Sequence, residues 1–302
     1  MNRIFHYSVP FGLILLLLPG CQESSVDRVT SGTITVAIDL SIAQAIEPVL
    51  EKFQSLYPNA HINILRTSSR EAVLMLGQKK AQLAFIAREI LSEEDQAFKN
   101  TSDLLRKYKI AIHGFSVNTH GSQPLRTLSL ASLRKIFRGE ISNWNELGGS
   151  NASIIVAMPG PNSAAYIALQ EMQLFTSLTC KYLLLESNNS LDSLQRKNKN
   201  VMTIKPLLWQ HPDTSFSRPI EILTPIAEDT TGKEYAISLH LANIYRERYP
   251  LRSFIYALTL NENVDLSTGI VSFIISGPGQ KQLLNNGLVP ATMPVRIVQF
   301  GS

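Results

Sequence analysis

Patterns typical of strands and of helices alternate along most of this chain, and no other feature constrains its fold as strongly. Residues 33–38 alternate polar and apolar side chains of strong β-forming types. The apolar residues of 46–57 recur at helical spacing, with Pro48 expected in the first turn of that helix. A loop is therefore expected from Asp39 to about Gln44, and the Tyr-Pro-Asn sequence at 57–59 is expected to end the helix.

The same alternation continues through the rest of the chain. The segments expected next are a strand at 62–65, a helix at 70–80, a strand at 83–87, an apolar segment at 110–117, a helix at 130–138, a strand at 154–158, a helix at 164–175, a strand at 254–260 and a helix at 269–286. This order predicts βαβ units, and thus a mainly parallel sheet with helices on both faces. Residues 187–217, rich in Asn, Ser, Lys and Gln, are expected to form surface loops with one or two short helices.

Length and charge narrow the class of protein. The chain has 302 residues, of which 44% are hydrophobic, so it is expected to fold into one large or two medium lobes. Its 28 basic and 24 acidic residues are spread along the sequence and give a net charge of +4. Without a basic stripe, nucleic acid is not an expected partner.

The N-terminus has the pattern of an export signal. Residues 1–20 contain an apolar run at 9–18 that is too short to span a bilayer. The run leads to Leu-Pro-Gly-Cys ending at Cys21, which resembles the lipobox of bacterial lipoproteins, although Pro19 is atypical there. We expect lipidation at Cys21 followed by a polar tether over 21–31; plain signal cleavage and an uncleaved anchor are the alternatives.

Lipidation of Cys21 would leave Cys180 as the second and last cysteine, so no internal disulfide is expected. Cys180 is then interpreted as a buried small apolar residue. Signatures of serine hydrolases, zinc peptidases and P-loop enzymes do not occur in the sequence, and the six His do not pair at metal-ligand spacings. We therefore expect no enzyme activity, no cofactor and no metal.

Three loops that follow predicted strands are rich in hydroxyl groups, and ligands of open α/β sheets bind beyond the carboxyl ends of strands. The loops contain Ser41, residues 67–71 and residues 161–165. Ser68 and Glu71 fit a capping box, which predicts a helix beginning at Ser69 whose free N–H groups could hold an anion. The alternative is that Ser68 only caps its helix. Three such loops together favour an oxyanion cradle built from N–H and O–H donors.

A charged group could join that cradle. Arg88 directly follows the predicted strand at 83–87, where its guanidinium would add two donors for an anion. The alternative is an ion pair between Arg88 and Glu89 or Glu93, and the sequence does not decide between the two.

Residues 130–149 carry a specific resemblance. Their sequence, LASLRKIFRGEISNWNELGG, resembles the motif "L-x-x-I-F-x-G-x-I-x-x-W-x-x-L-G-G" of the PstS-like phosphate-binding proteins that serve ABC transporters. Residues 87–94 and three C-terminal stretches, at 249–252, 279–281 and 286–290, resemble further signatures of that family. The resemblance covers about residues 31–296 and is weakest over 180–245.

The resemblance implies an α/β, two-lobed type II periplasmic binding protein fold with the ligand in the cleft between the lobes. Two hinge-crossing strands are expected, near 113–119 and 250–260. Lobe 1 would consist of 32–115 together with 255–302, and lobe 2 of 116–254.

By position, the resemblance also implies ligand-binding residues. The four implied first are Ser41, Ser69, Arg88 and Ser163, and the further candidates are Ser68, Arg70, Asn162 and His113. Two departures from the family pattern weaken the expected affinity for phosphate: Pro159 replaces an Arg of the third loop, and Ala164 and Ala165 replace Gly-Thr. His113 replaces an Asp, and it is expected either to face the cleft and strengthen anion binding as pH falls or to pack inside a lobe with its ring hydrogen-bonded to backbone.

The function implied is that of a monomeric, lipid-anchored protein of the cell envelope, periplasmic or extracytoplasmic. It would capture phosphate or a related oxyanion and deliver it to an ABC permease complex, with the lipid anchor as its contact with the membrane. The alternative is a degenerate binding-protein fold that acts as an envelope sensor or interaction module without high-affinity phosphate binding.

Overall fold

The computed structural model describes residues 25–101, 104–260 and 264–292. The strands are β1 (Gly32–Asp39), β2 (Ala60–Thr67), β3 (Leu83–Ile86), β4 (Arg106–Thr119), β5 (Thr127–Ser129), β6 (Ile155–Met158), β7 (Tyr182–Leu184), β8 (Val201–Pro206), β9 (Arg218–Pro219), β10 (Glu221–Pro225), β11 (Glu234–Ile237), β12 (Arg252–Thr259) and β13 (Val289–Pro290). The α-helices are α1 (Ser25–Thr30), α2 (Ala43–Leu56), α3 (Ser69–Gly77), α4 (Ser92–Lys99), α5 (Leu130–Phe137), α6 (Ala164–Glu171), α7 (Asn188–Lys197), α8 (Leu241–Tyr245), α9 (Leu266–Ile275) and α10 (Gly277–Asn285). Two short 3₁₀ helices lie at Trp144–Leu147 and Leu207–Trp209.

Most strands belong to one continuous sheet with the order β2-β1-β3-β12-β4-β8-β6-β7, and β9 and β13 also pair with β4. The pairs at its two ends, β1 with β2 and β6 with β7, are parallel. The long strand β4 is antiparallel to both of its main neighbours: it pairs with β12 up to Gly114 and with β8 from Phe115. β4 is therefore the strand that runs from one half of the sheet into the other.

Two large hydrophobic clusters divide the buried residues between these halves. The first comes from residues 34–111 and 255–288 together with Ala164, and the second from 115–251 together with Val289. Smaller clusters cover the opposite sheet faces, around Phe98 in one half and Leu191 in the other. We call the half around the first cluster lobe 1 and the half around the second lobe 2; the residue boundaries given above stay a prediction.

Two helices differ from the sequence-based expectation. Pro48 lies in the interior of α2 rather than in its first turn, because the helix already begins at Ala43 and buries Ala43, Ala45 and Ile46. Burial of these residues outweighs the backbone hydrogen bond that a proline removes. The single helix expected over 269–286 is two helices, α9 and α10, because Ser276 has extended backbone and caps α10 directly before Gly277 and Pro278.

The interval 187–217 is more ordered than expected. It contains α7 and the strand β8, all six residues of which are buried between β4 and β6. The short helices expected in this interval are present as α7 and the 3₁₀ helix at 207–209, whereas the expectation of surface loops is wrong for β8. Both faces of β8 are covered, since Met202 and Ile204 belong to the second cluster and Val201 belongs to the smaller cluster around Leu191.

The predicted signal peptide, 1–20, and the lipidation residue Cys21 lie outside the described residues. Residues 25–30 of the predicted tether form the helix α1, and this helix packs against α9. Cys180 is a half-buried free thiol at the edge of the second cluster, and burial raises its pKa. Within the described ranges, no helix combines the length and the apolar character needed to cross a membrane.

Candidate functional site

A cavity of about 80 Å³ lies where loops of both lobes meet at the ends of the strands, and we call it the cleft. Its lining comprises Asp39, Leu40, Ser41 and Ser68 from lobe 1, and Pro159, Gly160, Pro161, Asn162, Ser163, Ala165, Leu185, Glu186, Pro206 and Trp209 from lobe 2. The structure thus brings together four of the residues predicted from the sequence: Ser41, Ser68, Asn162 and Ser163.

Two helices begin at the cleft, one from each lobe. Ser68 caps α3, as predicted, and its hydroxyl oxygen accepts the N–H of Glu71 at 3.2 Å. Ser163 caps α6 and accepts the N–H of Tyr166 at 3.2 Å. Because each oxygen accepts a hydrogen bond, each hydroxyl keeps its own proton for donation to a ligand. The first-turn N–H groups of Glu71, Tyr166 and Arg70 already have acceptors, so a ligand can use only the other N–H groups of the two first turns. The positive end of each helix dipole adds to them.

The two helix starts are linked directly. The backbone N–H of Arg70, in the first turn of α3, donates to the carbonyl oxygen of Asn162 in the loop before α6, at 3.4 Å. This hydrogen bond joins the lobes and keeps both N-termini at the same cavity. A small anion between them could accept from both helices at once.

Asp39 is the last residue of β1, and its buried carboxylate faces two serines. One oxygen accepts the N–H of Ser41 at 2.8 Å and also the Ser41 hydroxyl. The other accepts the Ser69 hydroxyl at 2.6 Å, and Ser69 lies wholly buried behind the cleft lining. Both hydroxyl protons therefore point to Asp39 rather than into the cleft. A direct ligand contact of Ser41 or Ser69 stays a prediction.

The two predicted arginines lie away from the cleft lining. Arg88 is 1% exposed and donates to both carboxylate oxygens of Glu94, at 2.7 and 2.6 Å. Arg88 therefore forms an ion pair, as the alternative interpretation expected, but its partner is Glu94 instead of Glu89 or Glu93. Arg70 is exposed and lies 3.6 Å from Glu93. No Lys or Arg side chain is found among the described residues that line the cleft.

His113 is wholly buried in β4 and does not line the cleft. Its Nε2 donates to the carbonyl oxygen of Ala87 at 2.8 Å, so the neutral ring carries its proton on Nε2. Its Nδ1 is buried without a hydrogen-bond partner, and the ring packs edge-on against Phe115. Burial lowers the pKa of His113, although the Ala87 carbonyl and Asp39 act in the opposite direction. His113 is therefore a neutral, buried side chain that contributes to packing.

We expect the substitution His113→Gln to reduce the acid sensitivity of the fold. Because the pKa is lowered in the folded state, the unfolded chain binds the proton more readily, and stability is lost as pH falls below about 6.5. Melting temperatures measured between about pH 7 and about pH 5 should fall less steeply for the variant than for the wild type. Parallel curves would contradict this role.

Asp39, Glu186 and Trp209 are among the cleft residues that sequence reasoning missed. Asp39 ends the first predicted strand, which is where ligand-binding residues of such sheets occur, so its position was a usable signal. Glu186 and Trp209 fall next to or inside the interval that was expected to be surface loops. No local pattern places them at the cleft.

Comparison with known proteins supports the same architecture. A family model described as the PBP superfamily domain matches residues 24–277. The phosphate-binding protein PstS of Bacillus subtilis is 19% identical over 263 residues, which cover 87% of this chain and 82% of that protein. Because the identity is low, the phosphate binding of that relative is not assigned to this chain.

Two solved structures show the fold. A Clostridium perfringens protein, described as a phosphate ABC transporter substrate-binding protein with bound phosphate, matches with a TM-score of 0.74 at 23% identity over 86% of this chain and 100% of that one. An ABC-type phosphate transport receptor from Vibrio cholerae matches with a TM-score of 0.68 at 19% identity, again over 86% of this chain and 100% of that one. The predicted α/β binding-protein fold is confirmed. The large sheet is mixed rather than mainly parallel, because β12 and β4 run antiparallel to their neighbours at its centre.

Proposed function

Because this chain belongs to the PBP superfamily and is a distant homologue of phosphate-binding proteins, we propose that it captures a small oxyanion of the phosphate type in the cleft and delivers it to an ABC permease. The pair of capped helix N-termini at the cleft carries this proposal. Anchoring of the protein outside the cytoplasmic membrane by a lipid on Cys21 is part of it.

Neutral donors form the anion-binding side of the cleft. The hydroxyls of Ser68 and Ser163 and the N–H groups of α3 and α6 approach from opposite lobes. One helix N-terminus stabilises an anion by about 0.3–1 kcal/mol, and by up to about 2 kcal/mol in a partly buried site. Two such ends support binding, but less tightly than a site that adds a bidentate arginine.

Asp39 adds a preference among oxyanions. A carboxylate at the lining of an anion site repels a fully ionised ligand, but it accepts a hydrogen bond from a ligand that still carries a proton. Hydrogen phosphate has such a proton at neutral pH and sulfate has none. The cleft should therefore bind phosphate in preference to sulfate.

The substitution Ser163→Asp tests the site without removing the helix cap. Asp is as good an N-cap as Ser, so α6 should persist, while the new carboxylate would repel an anion in the cleft. We expect phosphate affinity, measured by isothermal titration, to fall by at least about tenfold. Ser129→Asp is the matched control, because Ser129 caps α5 of the same lobe and neither Ser129 nor its sequence neighbours line the cleft.

Equal losses of affinity in the two variants would contradict the site. A second candidate function is an envelope sensor or interaction module without high-affinity phosphate binding. It is favoured by one observation, that no basic side chain is present among the described lining residues. If neither phosphate nor sulfate binds to the wild-type protein at about millimolar concentration, this second function replaces the first.

A further inference from the structure

The cleft lining combines hydrogen-bond donors with apolar side chains. Besides the starts of two helices it contains Leu40, Leu185, Pro206 and the ring of Trp209. A buried phosphate ion has four oxygen atoms, and each of them needs a donor because an unsatisfied polar atom is unfavourable. Inorganic phosphate has no group that matches the apolar part of the lining. A ligand that joins an alkyl chain to the anionic group would contact it.

The charge of the cleft lining indicates which charge a ligand should carry. Two carboxylates line the cleft, Asp39 and Glu186, and no described lining residue is basic. The Asp39 oxygens already accept from Ser41 and Ser69, whereas Glu186 has no hydrogen bond or ion pair with any described residue. Asp39 is buried and Glu186 is exposed. An anionic ligand that brings no positive charge of its own would be repelled by both carboxylates.

The carboxylate of Glu186 lies close to the loop that precedes α6. Its Oε1 lies 3.2 Å from the point that a Cβ on Gly160 would occupy, in the same loop that leads to Ser163. Trp209 lines the same cavity and packs with the cluster around Leu191. A carboxylate and an indole ring are the two groups that most often hold an organic ammonium ion.

We propose that the preferred ligands of the cleft are small zwitterions in which a phosphonate or phosphate-monoester group is joined to an ammonium group by a short alkyl chain. The anionic end accepts from α3 and α6, the alkyl chain lies against Leu40 and Pro206, and the ammonium contacts Glu186 and Trp209. This inference rests on the proposed oxyanion function and adds the substrate class.

The test compares three ligands with the full-length protein purified in detergent. Isothermal titration is carried out with 2-aminoethylphosphonate, with ethylphosphonate, which lacks only the amine, and with inorganic phosphate. We expect 2-aminoethylphosphonate to bind at least about fivefold more tightly than either of the others. If it binds no better than ethylphosphonate, or more weakly than inorganic phosphate, the inference is overturned while the proposed function stands.

A charge-removing variant assigns the effect to one side chain. Glu186→Gln should reduce the affinity ratio of 2-aminoethylphosphonate to ethylphosphonate to about one. Glu171→Gln is the matched control, since Glu171 is an exposed residue of the same lobe outside the cleft, and the ratio should be unchanged. An unchanged ratio in Glu186→Gln would overturn the assignment. Failure of all three ligands to bind the wild-type protein would overturn the proposed function as well.

Discussion

Asp192→Ala is expected to lower the free energy of unfolding by about 3–5 kcal/mol, because it leaves a buried ammonium without its counter-charge. The side chain of Lys205, on β8, is 0% exposed, and its Nζ donates to the carboxylate of Asp192 on α7. The Ser217 hydroxyl accepts from the same nitrogen at 3.1 Å. Without Asp192, that hydroxyl is the remaining partner shown for the charge. Chemical denaturation followed by circular dichroism measures the change.

The free energy of unfolding of the Asp192→Ala variant should change with pH in a definite direction. Burial lowers the pKa of Lys205, and the attraction of Asp192 raises it, so removing Asp192 lowers it further. A group with a lowered pKa binds its proton more readily in the unfolded chain, so stability rises with pH up to the ordinary lysine value of about 10.4. The variant should therefore regain part of its lost stability as pH rises toward that value.

A surface pair provides the comparison. Arg66 and Glu47 form an ion pair in which the Arg66 side chain is 60% exposed, and Glu47→Ala should reduce stability much less than Asp192→Ala does. The double substitution of Lys205→Met with Asp192→Leu should recover most of the loss of Asp192→Ala, since it removes both charges. If Asp192→Ala is no more destabilising than Glu47→Ala, the buried pair does not stabilise lobe 2 in this way.

Trp144→Ala is expected to lower the free energy of unfolding by about 3–5 kcal/mol. Trp144 is fully buried in the second hydrophobic cluster, and its indole N–H donates to the carbonyl oxygen of Asn200 at 3.0 Å. The truncation leaves a large cavity and removes the partner of that carbonyl. Chemical denaturation gives the change in free energy.

Two further substitutions calibrate this result. Trp144→Phe keeps an aromatic ring and loses the indole N–H, so it should be roughly half as destabilising. Leu74→Ala removes a side chain that is 48% exposed, and less than about 1 kcal/mol is expected. A loss at Trp144→Ala as small as that at Leu74→Ala would contradict the structural role. Ligand affinity of the folded protein should stay unchanged, because Trp144 does not line the cleft.

Trp144 also shows which part of the structure is formed by the stretch with the most specific family resemblance. It lies within 130–149, and the apolar residues of that stretch, Leu133, Ile136 and Phe137, are buried with it in the core of lobe 2. None of the four lines the cleft. The motif therefore identifies a packing arrangement, and with it the fold, while it carries no information about the ligand.

Local patterns were sufficient for much of the fold. The predicted strand at 33–38 lies within β1, and the predicted helix start at Ser69 is the first residue of α3. Alternation of side chains over a strand and the hydrogen bond of an N-cap involve only residues close in sequence. The loops that contain Ser41, Ser68, Asn162 and Ser163 were predictable as well, because ligand-binding loops of such sheets follow the carboxyl ends of strands.

The direction of hydrogen bonds in the cleft required the tertiary structure. Ser69 donates to Asp39, a residue 30 positions away, and Arg88 pairs with Glu94 although the sequence also offered Glu89 and Glu93. Which donor meets which acceptor depends on how β1, α3 and α4 pack. A hydroxyl or guanidinium looks the same in the sequence whether its partner is a ligand or a carboxylate.

The sequence by itself determined the first strand, the start of α3 and the loops that meet at the cleft, because these depend on side-chain periodicity, on local capping and on the chain direction of parallel strands. The two-lobed class came from the resemblance of residues 130–149 to a known family. Only the tertiary structure decided that β8 is buried and that Lys205 lies at the centre of a polar network. Polar residues can be buried only where distant parts of the chain supply their partners. No local pattern records those partners, and the charge balance of the cleft likewise depends on side chains that only folding brings together.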